Sequence, residues 1–321
     1  MSPAARTARY VAKRLLLSVP TLLLAALFVF VLIRLLPGDP AQVMLGEGAD
    51  PDAVAALHRQ MGLDRPAPMQ FVTWLGSALH GDLGTSVATG QPVLPLLLQR
   101  FQVTASIVLS AVAIATLLAV AGGLLAAWRH GRVLDRAIVA AATISMAVPS
   151  FWLGLMLLLA FGVKLRWLPV VGYVPLHENL GAGLAYLVLP VATLAIVESG
   201  VLTRMMRASA LDVQRLEFVT HARAKGASEL AVMVRHVLPN AFAPTLTLAG
   251  LTLGHLLGGA AVIETVFTLP GLGRLVVESI LARDYPVVQG CLLFTALIYV
   301  LVNLAIDLCY PLLDPRVTVV G

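Results

Sequence analysis

Six stretches of this 321-residue sequence stay apolar for about twenty residues at a time, the length an α-helix needs to cross a bilayer. They cover residues 15–33, 104–128, 138–163, 184–205, 241–263 and 287–308, each bounded by charge or by Gly/Pro punctuation. Backbone groups in lipid must be satisfied within the chain, which leaves helices and closed barrels. Barrel strands alternate over about ten residues, and these stretches do not. Composition agrees: 59% of residues are apolar and only 12% charged, about half the charged share of a soluble domain. The sequence predicts an all-α integral membrane protein with six transmembrane helices.

Arg6, Arg9, Lys13 and Arg14 precede the first stretch as they would in a signal peptide. Its apolar run exceeds the usual h-region of about 7–15 residues and no small-residue cleavage site follows, so a retained helix is expected. Lys and Arg then orient the chain. With the N-terminus inside, the inner segments hold 14 of them and the outer segments 7, with Arg34 at a helix end. Both termini are expected in the cytoplasm. The net charge of +5 thus belongs to inner loops rather than to a nucleic-acid surface. Cys291 and Cys309 share one apolar segment, about 27 Å apart on a helix, and cannot pair. The seven histidines are scattered and suggest no metal site.

The expected organisation is a cytoplasmic N-terminus (1–14), a first transmembrane helix (15–36), an outer segment (37–103), a five-helix core (104–312) and a cytoplasmic tail (313–321). In the outer segment Asp50 can cap a helix with Pro51 at its first position, carry Val54, Leu57 and Met61 on one face, and end at Gly62. A second short helix would present Phe71, Trp74, Leu75 and Leu79 and close at Gly81. Such helices lie on the membrane surface or cap a bundle. Six acidic residues against three basic ones could also suit a partner docking from outside.

The inner stretch 204–239 is too polar to span and too patterned for a loose loop. Residues 208–225 lack Pro and Gly and read as helix, with Gly226 where a helix terminates. A second helix can start near Ser228, with Glu229 in its first turn and Arg235 and His236 in its last, matching the helix dipole. Leu230, Met233, Val234 and Val237 would form its apolar stripe, and Pro239 would mark the turn into the fifth span. A helix–Gly–helix on the membrane surface can transmit force to a partner that grips it; it can also simply fix orientation. No Gly-x-x-x-x-Gly-Lys-Ser/Thr sequence occurs, so ATP-driven work would need an ATPase on another chain.

Thr220-His221-Ala222-Arg223-Ala224-Lys225-Gly226, then nine residues, then His236-Val237-Leu238-Pro239, resembles the EAA loop of ABC importer permeases. That pattern is Glu-Ala-Ala, three residues, Gly, nine residues, Ile-x-Leu-Pro. Ala222, Gly226, Leu238 and Pro239 match it; Thr220 stands for the Glu, His221 for the first Ala and His236 for the Ile. Residues 222–226 resemble the dipeptide/oligopeptide/nickel branch. So do Leu36-Pro37-Gly38-Asp39-Pro40, Gly62-Leu63-Asp64-Arg65-Pro66, Gly81-Asp82-Leu83-Gly84, Val148-Pro149-Ser150-Phe151-Trp152-Leu153-Gly154, Glu264-Thr265-Val266-Phe267, Pro270-Gly271-Leu272-Gly273, Arg283-Asp284-Tyr285-Pro286 and Leu313-Asp314-Pro315-Arg316. The resemblance implies a type I ABC importer permease bundle in a bacterial inner membrane. It implies a second, non-identical permease, two cytoplasmic ABC ATPases that use ATP and Mg, and a substrate-binding protein outside. The cargo would be di- or oligopeptides, or else nickel complexes or glutathione. Residues 217–225 would be the coupling helix, with Gly226 its flexible end, and the chain would bind no cofactor or metal and carry no catalytic residue.

Four further residues are candidates for the pathway or its gate. Pro149 interrupts the third span and predicts a kink, with Phe151 beside it. His255 lies in the middle of the fifth span, and Glu264 ends that span where it could line an exit or sit at the interface. Glu198 and Asp307 lie inside apolar runs near the cytoplasmic side and each needs a partner or water, which suits helix anchoring. The rival classes are thinly supported. A secondary transporter would show mid-membrane carboxylates and paired broken helices. An intramembrane enzyme would carry His-Glu-x-x-His or Gly-x-Ser-x-Gly, and neither occurs. A receptor or scaffold stays open.

Overall fold

The computed structural model describes residues 3–35, 40–46 and 48–313. The motif residues 36–39 and the tail 314–321 lie outside them, and so do the side chains of Leu57, Met61 and Cys309. The described elements are helices: α1 (Pro3–Leu35), α2 (Pro40–Leu45), α3 (Pro51–Met61), α4 (Ala67–Leu79), α5 (Val93–Trp128), α6 (Val133–Ala147) and α7 (Ser150–Leu157). They continue with α8 (Leu180–Gln214), α9 (Glu217–Ala224), α10 (Glu229–Val232), α11 (Leu238–Gly259), α12 (Ala261–Val266), α13 (Leu272–Leu281) and α14 (Tyr285–Leu313). Wider π-helical turns extend α7 over Leu158–Lys164 and join α10 to α11 over Met233–Val237.

Five helical runs are long and apolar enough to cross a membrane: Arg14–Leu35, Val93–Trp128, Leu180–Gln214, Glu229–Gly259 and Tyr285–Leu308. They coincide with five of the six expected spans. The third departs from expectation. Val133–Ala147 and Ser150–Lys164 meet at 99°, a break rather than a kink, so the count is six only if this bent pair is one span. The cause is local. A residue before proline is driven out of the helical region. Val148 accordingly sits at ψ 123° and Pro149 at ψ 131°, two consecutive extended residues that turn the chain before Ser150 restarts the helix.

The core is built on α5 against α8. Ile107, Ala111, Ala115 and Ala119 recur every fourth residue on α5 and are fully buried, so the two backbones approach closely. Gly123 continues that row. A Cβ there would stand 2.6 Å from the Met206 Cβ and 2.9 Å from the Arg207 backbone nitrogen, where nothing flexible can yield. Replacing Gly123 with valine should therefore separate α5 from α8 and lower stability by about 1–3 kcal/mol. A drop in the thermal midpoint of the detergent-purified protein would register it. Helix α8 also retains Pro190, buried near its outer end. Across the bundle, Gly250 and Gly254 of α11 face Ile306 and Tyr299 of α14.

Helix α1 is peripheral. It packs on α14, and its N-terminal part is held there by the Arg14–Asp307 ion pair at 2.9 Å, the partner that Asp307 required. At the outer end Phe30 meets Phe71 edge-on at 5.2 Å and Trp74 at 5.9 Å, which seats α4 against α1. Phe71 and Trp74 thus do as their spacing suggested, whereas Leu79 is exposed. The expectations for the two ends of α3 hold. Asp50 accepts from the Asp52 amide, Pro51 opens the helix and Gly62 ends it at φ 66°. The head of α14 is tied to the outer segment by Asp284, which accepts from Ser86 Oγ at 2.5 Å and from the Val87 and Ala88 amides at 3.2 Å.

Candidate functional site

The stretch after α8 folds as a lodged hairpin against the C-terminal end of that helix. The single helix expected over 208–225 is instead two. Helix α8 stops at Gln214, Leu216 is extended at ψ 143°, and α9 restarts at Glu217. The break has a packing reason: it lets Val213, before it, and Val219, after it, both enter one apolar cluster. That cluster also holds Ala127, Met206, Ala210, Val232, Met233, Val237 and Ala241. Burying Val219 alone is worth about 1.5–3 kcal/mol. The rest of α9 faces out: Glu217, Phe218, Thr220, His221 and Ala224 are exposed, as are Lys225 and Gly226 beyond it, while Ala222 and Arg223 are half-buried.

Gly226 terminates the hairpin's first arm as its position suggested. Its φ is +84°, the left-handed region that a side chain resists, and nothing lies near its missing Cβ. Ser228 then caps α10 by accepting from the Ala231 amide, and Arg223 reaches across to Glu229 at 2.9 Å. The predicted apolar stripe of α10 is corrected. Val232, Met233 and Val237 are buried, whereas Leu230 and Val234 are exposed. The π-helical turn causes this by widening the repeat, so that residues five apart, Val232 and Val237, share the inner face. Pro239 likewise marks no turn into the fifth span. It sits in the first turn of α11 within one continuous run, Glu229–Gly259, and the loosened turn before it absorbs its missing N–H. Leu238 beside it is half-buried and His236 gives its carbonyl to Asn240.

An ion pair between a buried carboxylate and a half-buried guanidinium braces this platform, and the sequence did not reveal it. Asp135 of α6 takes both arms of Arg207, Nε at 2.6 Å and Nη2 at 2.8 Å, and also accepts from the Gly131 amide at 2.9 Å. Arg207 Nη2 lies 3.2 Å from His130 Nδ1. The 129–136 loop is thereby fastened to α8 two turns above α9. The available signal was Asp135 itself, the one carboxylate in a loop otherwise basic.

The four pathway candidates separate. Pro149 and Phe151 are exposed at the break between α6 and α7, and His255 is exposed on α11. Glu264 is not at any surface. It is fully buried, accepts from Thr104 Oγ1 at 2.5 Å and from the Arg274 amide at 2.8 Å, and Thr104 in turn accepts from the Leu272 amide at 2.8 Å. With the Gly273 amide also bonded to it, the carboxylate caps α13 from α12. Burial pushes its pKa up, and the surrounding hydrogen bonds hold part of that rise back. Gly271 is required beside it, since a Cβ there would stand 2.1 Å from the carboxylate. Neither an exit-lining nor an interfacial role fits a side chain so enclosed. Among the described residues no group of three or more His, Cys, Asp or Glu side chains could hold a metal.

Two family models match the chain: residues 7–108 match the N-terminal part of a binding-protein-dependent transport system membrane component, and residues 119–319 match the binding-protein-dependent transport system inner membrane component. A Sinorhizobium fredii protein named as a probable peptide ABC transporter permease is 40% identical over 308 residues, 96% of this chain and 98% of its own length. The glutathione transport system permease protein GsiC of Escherichia coli is 38% identical over 308 residues, with the same coverage of each chain. A solved chain of the MetNI methionine ABC transporter in an inward-facing conformation shares the fold, with a TM-score of 0.57 and 18% identity over 68% of this chain and 96% of that one. On these matches the chain belongs to the binding-protein-dependent inner membrane components, the permease subunits of ABC importers.

Proposed function

We propose that this chain forms half of the translocation pathway of an ATP-driven, binding-protein-dependent importer of di- or oligopeptides. The observation that carries the reading is α9: a short helix anchored through Val219 and otherwise exposed at the cytoplasmic end of the spans. Such a helix is a handle. Residues 217–226, with Leu238 and Pro239 behind them, receive the push of two partner ATPases, which bind the ATP and Mg. Leu216, Phe218, Leu230 and Val234 add exposed apolar area to the surface those partners would cover. A second, non-identical permease completes the pathway, a binding protein docks on the outer segment, and both termini are cytoplasmic. Pro149, Phe151 and His255 belong to the pathway or its gate. Peptides are favoured as cargo because the relatives at about 40% identity carry peptide or glutathione transport in their names.

The test is affinity purification from mild detergent, followed by an ATPase assay of the reconstituted complex with and without Gly226→Pro. Proline fixes φ near −65° and cannot take the +84° conformation. An ATPase should co-purify with the unaltered chain, and its stimulation by binding protein should fall at least tenfold in the variant. If no ATPase accompanies the chain, or the substitution changes nothing, the reading is wrong.

A further inference from the structure

Glu198 and His255 stand at the same depth. Glu198 is followed by 16 residues of α8 and His255 is preceded by 17 of α11, which places them about 24 and 25 Å from helix ends that meet in one cytoplasmic cluster. Helix α8 runs on well past the sixteenth residue before its end as a single element, so Glu198 lies deeper than the expected position near the cytoplasmic side. The two groups are within electrostatic range of each other, and among the described residues no hydrogen bond or ion pair of either side chain is found. The packing around them is open in a patterned way. Leu194 and Leu202, one turn either side of Glu198, are buried, yet Glu198 itself is only half-buried. On α11, Leu251 and His255 are exposed one turn apart, while Gly250 and Gly254 on the neighbouring face are closed against α14.

An acidic side chain at mid-membrane is costly against lipid, and such groups face a bundle interior or a water-filled cavity. A carboxylate with no internal donor, at the depth of an exposed imidazole on the neighbouring helix, has the chemistry of a receptor for N–H-bearing cations. We propose that Glu198 and His255 form a water-accessible station on the translocation surface that binds ammonium groups of the passing cargo. Glu198 supplies the charge and His255 a ring-nitrogen acceptor or an edge contact. The inference rests on the importer reading, and it adds a site and a ligand chemistry that the coupling loop does not address.

The experiment uses the assembled complex in a background where Cys291 and Cys309 are replaced by alanine, with His255→Cys introduced. Its labelling rate is measured with ethylammonium and ethylsulfonate methanethiosulfonates, each normalised to a free thiol. The cationic reagent should react at least tenfold faster than the anionic one, and adding Glu198→Gln should bring the ratio to within about twofold of unity. Leu251→Cys, one turn away on α11, is the second reporter if His255→Cys fails to assemble. No labelling by either reagent at either position, or a ratio indifferent to Glu198→Gln, overturns the station. A complex that shows the charge preference but whose ATPase ignores Gly226→Pro keeps the station and overturns the importer reading.

Discussion

Glu264→Ala should lower the stability of the protein by about 3–6 kcal/mol, since it strands several buried donors at once. The Arg274 and Gly273 amides at the head of α13 and the Thr104 hydroxyl all lose their acceptor, and each orphaned group costs about 1–3 kcal/mol. A cavity adds to the loss. Glu264→Gln keeps the shape but turns an NH2 toward donors, so it should cost less than the alanine and more than a surface change. Thermal midpoints in detergent would rank the three proteins, and hydrogen exchange should place the loosening at α13. An alanine variant as stable as the parent would remove the cap from this account. The pH dependence has a definite sign. A carboxyl whose folded pKa is raised favours folding below its ordinary value near 4.5, and that contribution is lost as pH rises through the folded pKa. The parent should therefore lose stability relative to Glu264→Gln as pH climbs from 4 toward neutrality.

The second large effect is expected at the Asp135–Arg207 brace. Asp135→Ala leaves Arg207, half-buried among α5, α6 and α8, with its bidentate acceptor gone, and losing such a charged hydrogen-bonded partner costs about 1.5–3 kcal/mol. Removing both partners, as in Asp135→Leu with Arg207→Met, should recover most of that loss, because the isolated charge is the main penalty. A double-mutant cycle on unfolding midpoints would measure the coupling. Additive single and double effects would show that the pair contributes nothing beyond its parts. If α9 is the handle proposed above, the single variants should also reduce stimulated ATPase activity, since the 129–136 loop then no longer holds α8 above α9.

These two residues show where sequence legibility ends. The spans were legible because lipid imposes a run length that composition displays directly, and α3 was legible because Asp50, Pro51 and Gly62 act on their immediate neighbours. Gly226 was legible for the same reason. Glu264 was not, because its partners Thr104 and Arg274 lie 160 and 10 positions away, and a carboxylate at a span end looks alike whether it caps a helix or lines an exit. Asp135 was hidden by its basic neighbours, and Arg207, 72 positions on, counted only as a positive charge. The stripe on α10 failed for a different reason. It assumed 3.6 residues per turn where the chain takes a wider one, and the exposed pair Leu230 and Val234 is what that error leaves outside.

Pro190 leaves a gap in the backbone ladder of α8, and a helix bends most easily at such a gap. The proline removes one backbone hydrogen bond near the outer end of a helix whose remaining 24 residues run unbroken to Gln214, an arm of about 36 Å. At the far end of the arm sits α9, joined through only Arg215 and Leu216. A bend of about 10° at Pro190 would carry α9 about 6 Å, close to one helical turn. Read in reverse, a partner that drags α9 by one turn's height needs to bend α8 only that little to be felt at the outer face.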